Sequence, residues 1–141
     1  MKLSLGSFYS EVGVFFKISY KVDLFIRETL IEKIFKPYGL DIINPGWTID
    51  LNVTTSKNTL STRATGPEID KRNKFYNFGL WLPYYEIVRS KNYLNTYIDN
   101  YFVALEYVFH DYKIEIKDIL LVKEIVKNEI LNNPEYAYEA P

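Results

Sequence analysis

Trp47-Thr48-Ile49-Asp50-Leu51-Asn52-Val53-Thr54 alternates apolar and polar residues without a break. Period two sends Trp47, Ile49, Leu51 and Val53 to one side and Thr48, Asp50 and Asn52 to the other, the pattern of a strand with one face against a core. Pro45-Gly46 supplies a turn before it. After it, Ser56-Lys57-Asn58 reads as a hairpin loop into Thr59–Ala64, a more polar strand suited to a sheet edge. A second alternating stretch runs from Lys74 to Leu82 and stops at Pro83, with Tyr76, Phe78, Leu80 and Leu82 on one face and Phe75, Asn77, Gly79 and Trp81 on the other.

Upstream, Val12–Tyr20 is rich in β-branched and aromatic residues and reads as the first strand. Asp23 can cap a helix that runs to about Lys36 and ends at Pro37 and Gly39, with Leu24, Ile26, Leu30, Ile31, Ile34 and Phe35 on its apolar arc. Arg27 falls inside that arc. It either snorkels past the helix end or forms an ion pair under the sheet, and the first account is the simpler. Downstream, a helical period holds from about Lys91 to His110, and Asp118 can cap a last helix through about Leu131. That last helix is apolar over much of its circumference, so it is either sandwiched between layers or offers a contact surface. The order β-α-β-β-β-α-α predicts a single α+β domain over 1–134, with a mainly antiparallel sheet of about four strands packed against helices. Residues 135–141 lack periodicity and read as a mobile tail.

A chain of 141 residues with 48% hydrophobic and 25% charged residues is long enough to bury a core without staples. Its 13 Tyr, 9 Phe and 2 Trp are an unusual aromatic content, and since Tyr and Trp serve equally at the rim of a core or in a contact surface, some are expected to be exposed. Cysteine is absent, which excludes disulfides and thiolate chemistry and favours the cytoplasm, and no stretch has the length or apolarity of a signal peptide or a membrane span. The net charge of −1 is unevenly spread. Lys57, Arg63, Lys71, Arg72, Lys74, Arg89 and Lys91 face only Glu68, Asp70 and Glu86 between positions 57 and 91, whereas acids outnumber lysines from Leu94 onward. Such polarity can steer a charged partner.

Catalytic patterns are missing. His110 is the one histidine, its neighbour Asp111 does not share its helix face, and no glycine-rich phosphate loop occurs. Asp50, Asp99, Glu106 and Asp111 could pair as carboxylates, but nothing in their spacing selects a pair. The expectation is therefore no enzyme activity, no cofactor and no metal. Binding remains, and two surfaces compete for it. One is the reverse face of the sheet, with Phe75 and Trp81 beside the basic residues Arg72 and Lys74, provided that the last helix does not cover it. The other is an acidic, tyrosine-bearing helical surface formed by Asp99, Glu106, Tyr107, Asp111 and Glu115. Aromatic residues on a sheet could also stack on single-stranded nucleic acid, but the glycine-aromatic order does not fit that use and the pI near 5.9 opposes it.

Gly66-Pro67, the basic run Lys71-Arg72-Asn73-Lys74 and the strand ending Trp81-Leu82-Pro83-Tyr84 carry a resemblance to the small bacterial immunity proteins of polymorphic-toxin and contact-dependent growth inhibition systems. The match spans about twenty residues and holds no catalytic signature. It implies a one-domain cytoplasmic inhibitor that binds the C-terminal domain of a cognate toxin, such as a nuclease, and blocks its active site or an essential surface. An acidic helical surface would then suit the basic cleft of a nuclease.

Overall fold

The centre of the fold is a pair of strands, β2 (Thr48–Ser56) and β4 (Phe75–Pro83), where the alternation places them. The computed structural model describes residues 1–11 and 16–136. β1 (Lys2–Ser10) lies outside β2 and β3 (Arg63–Asp70) outside β4, giving the order β1-β2-β4-β3. The β1–β2 and β2–β4 pairs are parallel and the β3–β4 pair is antiparallel. The α+β class and the four strands agree with the sequence. The sheet differs: it is mixed and mostly parallel instead of mainly antiparallel.

Two local differences accompany this. The first strand is Lys2–Ser10, while the stretch assigned to it from the sequence lies partly outside the described residues and from Phe16 onward belongs to helix α1 (Phe16–Leu30). Buried Ser19, Val22, Ile26, Leu30 and Ile34 recur at helical spacing, so packing overrides the β propensity of the α1 start. A strand, a helix and a second strand in the same sheet make a crossover, which returns the chain to run parallel. The second difference concerns Thr59–Ala64. Only its end is extended, and β3 continues through Gly66-Pro67 to Asp70. β3 is an edge strand as expected, but it pairs with β4 and not with β2, so β4 inserts between them.

Val22, Ile26 and Leu30 of α1 and Tyr97, Tyr101, Leu105 and Val108 of α3 (Tyr93–Phe109) are buried in one core with Leu3, Ile49, Leu51, Val53, Phe78, Leu80 and Leu82 of the strands. α1 packs on β1, and α3 on β3 and β4. A short helix, α2 (Tyr84–Val88), links β4 to α3, whose start is capped by Asn92 Oδ1 accepting from Asn95 N at 3.1 Å. α4 (Ile116–Leu131) packs against α1 and α3 through Ile119, Val122, Val126 and Ile130. It is not sandwiched, for Ile116, Leu120, Leu121 and Leu131 stay exposed. Asp118 sits in its first turn and accepts from the Tyr38 hydroxyl instead of capping it. Arg27 takes neither role considered for it. Its Nε donates to the carbonyl of Leu3 at 2.8 Å, tying α1 to the edge strand β1.

Candidate binding surface on the open sheet face

Because the helices gather on one side, the other face of β2 and β4 carries Thr48, Asp50, Asn52, Thr54, Phe75, Asn77, Gly79 and Trp81, all half-buried, where their helix-facing neighbours from Ile49 to Val53 and from Phe78 to Leu82 are buried. Trp81 is the most firmly built side chain on it. In register it pairs with Arg63 of β3 and lies beside Thr54 of β2. Its indole leans over Gly79: a Cβ there would stand 2.9 Å from Trp81 Nε1 and 2.7 Å from Thr65 Oγ1, so only glycine leaves room for this placement. Nε1 donates to Thr65 Oγ1 at 3.2 Å, and the Arg63 guanidinium lies 4.7 Å from the centre of the ring. A floor, a hydrogen bond and a cation–π contact together hold the ring.

Two further cation–aromatic pairs involve the residues that follow in the chain. Ser56 is in register with Pro83, which brings the next residues, Lys57 and Tyr84, side by side, and Lys57 Nζ stands 5.2 Å from the Tyr84 ring. Arg89, one turn after Tyr85 at the end of α2, places its guanidinium 4.9 Å from that ring. The Tyr84 and Tyr85 rings meet edge to face at 5.1 Å. All three rings come from Trp81–Tyr85, where β4 ends, and Lys57, Arg63 and Arg89 are exposed. The carboxylate of Glu11 is engaged at this end by Ser56 Oγ and the Lys57 amide, both at 3.1 Å.

The residues selected from the sequence fall into three places. Trp81 and Phe75 share the open face but are six residues apart on one strand, roughly 20 Å at strand rise. Near Phe75, Arg72 and Lys74 occupy the exposed β3–β4 turn, which is fixed from within: Asp70 accepts from Asn73 N at 3.0 Å and from Asn73 Nδ2 at 2.9 Å, and Lys74 takes a left-handed backbone with φ 60°. Asp99 and Glu106 lie on the outer ridge of α3, and Tyr107 leans from it to donate to the Gly66 carbonyl at 3.3 Å. Asp111 is in the turn after α3, and Glu115 precedes α4, paired with Lys117 at 3.0 Å.

The acids of this ridge do not form one field. Asp99 receives Lys123 at 2.9 Å and Lys127 at 2.5 Å, both from α4. Partial burial would raise its carboxyl, but the hydrogen bonds from these lysines outweigh that and hold it below the ordinary carboxylate range. Its charge thus clamps α3 to α4 and is locally offset, so the acidic surface is weaker than the sequence suggests.

A different carboxyl is fully buried. Asp23 of α1 accepts from the Tyr97 hydroxyl at 2.6 Å, and burial pushes its pKa well up although this hydrogen bond opposes the shift. Tyr101 is buried beside it. This acid faces the core and does not line the cleft of about 540 Å³ that opens between the start of α3 and the end of α4. Lys91 is the sole charged residue in the lining of that cleft, so it offers no acid–base pair. His110 is exposed at the end of α3. Among the described residues no cluster of His, Asp and Glu is arranged to hold a metal ion, and no helix is long and apolar enough to cross a membrane.

Sequence reasoning missed Lys57, Tyr84, Tyr85 and Arg89 as parts of a site. The Tyr85–Arg89 spacing of one helical turn was a visible signal, whereas Lys57–Tyr84 and Arg63–Trp81 depend on strand pairing. Compared with known protein families, curated proteins and solved structures, the chain matches none of them.

Proposed function

We propose that this chain is a non-catalytic immunity protein, which binds the C-terminal domain of a cognate toxin and blocks its active site or an essential surface. The observation that carries a binding role is Trp81, an aromatic side chain held rigid on an open sheet face by Gly79, Thr65 and Arg63. A pre-organised aromatic anchor ringed by polar and charged groups loses little freedom when it is covered, which is what a tight contact requires. The immunity role itself rests on the resemblance around Gly66-Pro67, Lys71–Lys74 and Trp81–Tyr84. Of the two surfaces considered, the open sheet face is the better docking site, because Asp99 on the helical ridge already engages two lysines.

The test is co-expression with the C-terminal domain of the protein encoded by the adjacent upstream gene. The expected result is rescue of growth and an equimolar complex on gel filtration. A toxic domain that this chain neither binds nor neutralises would overturn the proposal.

A further inference from the structure

We propose that the segment Trp81–Tyr85, where β4 ends and α2 begins, docks an acidic protein surface, whose carboxylates meet Arg63, Arg89 and Lys57. The inference deepens the binding role proposed above and rests on it only in taking the partner to be a protein. Among the described residues none of these three cations forms a salt bridge, and all three are exposed. Each lies over an aromatic ring, at 4.7, 4.9 and 5.2 Å from the centre of Trp81, Tyr85 and Tyr84 respectively. A guanidinium held over a ring still has N–H groups to spare, and these can grip a carboxylate with two parallel hydrogen bonds. Its rotamer is also set in advance, which lowers the ordering cost of the contact.

Charge selects the partner. Glu11, held by Ser56 Oγ and the Lys57 amide, and Glu86 of α2 set two acids against three cations. Single-stranded nucleic acid is the competing polyanion, but a cation already lies over one face of each of the three rings, which leaves less ring surface for bases to stack on. The overall charge of −1 also works against a long phosphate backbone. Carboxylates on a protein surface need only the cation edges.

The experiment is an NMR titration of the ¹⁵N-labelled protein at low salt, with a decaglutamate peptide and, separately, a ten-nucleotide oligo-dT. Decaglutamate should shift the side-chain Nε–H signals of Arg63 and Arg89 and the Trp81 indole N–H. Arg63→Glu with Arg89→Glu should weaken that binding at least tenfold while amide dispersion is kept. Should the double variant unfold, Arg63→Gln and Arg89→Gln taken singly should each weaken it several-fold. Shifts confined to the Lys71–Lys74 turn, no shifts at all, or tighter binding of oligo-dT than of decaglutamate would each overturn the proposal. A positive titration combined with failure to neutralise the neighbouring toxin domain would refute the immunity role and leave the docking site for acidic surfaces standing.

Discussion

Leu80 and Trp81 are consecutive residues of one central strand, yet they sit in opposite environments. Leu80 is fully buried against the helices, while Trp81 is held half-buried on the open face by a glycine floor, a threonine hydroxyl and an arginine. On the covered side burial of apolar area dominates and a polar group is costly unless paired: Asp23 Oδ1 accepts from Tyr97, while Asp23 Oδ2 and the Tyr101 hydroxyl have no hydrogen-bond partner among the described residues. On the open side an aromatic ring is fixed by directional contacts and stays available. A single strand can therefore separate stability from recognition, residue by residue.

The largest effect should come from the covered side. Leu80→Ala removes a buried side chain at the sheet centre and should cost about 2–5 kcal/mol in chemical denaturation, whereas Trp81→Ala, on the open face, should cost clearly less. Equal losses would mean that the two faces are not distinct. The next effect is pH-dependent. The folded-state pKa of Asp23 is raised by burial, so the folded chain retains a proton that the unfolded chain releases at about pH 3.9. This contribution to stability is full below that value and is lost as pH rises toward the folded-state pKa, with a slope of up to about 1.4 kcal/mol per pH unit. Asp23→Asn should flatten the slope, as read from denaturation midpoints between pH 4 and 7; an unchanged slope would show that Asp23 is not its source. The smallest effect belongs to the exposed turn. Arg72→Ala with Lys74→Ala should change stability by no more than about 1 kcal/mol, and a loss of several would mean that their side chains support the fold.

Both central strands, their faces and even the residues of the open face are legible in the sequence, through the alternation in β2 and β4. Period two is a local property, and burial on one side enforces it. Strand direction is not legible there, because it depends on which segment crosses to which. Lys2–Ser10 carries a bulge between Leu5 and Phe8 and the polar residues Ser4, Gly6 and Ser7, which blur its pattern. The Asn52 side chain accepts from the Ser7 amide at that bulge, a partner that no local pattern announces. The site is half legible for the same reason. Trp81 and Phe75 follow from the period, while Arg63, Lys57 and Arg89 join the surface through register and a helical turn. The acidic ridge looks stronger in sequence than in space, because the pairing of Asp99 with Lys123 and Lys127 joins two helices.

The most direct test of Trp81 as the anchor is the kinetics of binding to the C-terminal domain of the neighbouring gene's product, with Glu106→Lys and Asp111→Lys as the ridge comparison, since altering Asp99 would disturb the clamp on α4. Trp81→Ala should raise the dissociation rate by about thirtyfold, equivalent to roughly 2 kcal/mol for a buried aromatic anchor, with circular dichroism unchanged. The ridge variant should bind like the parent. Parent-like dissociation of Trp81→Ala together with slowed association of the ridge variant would contradict the account and move the docking site to α3.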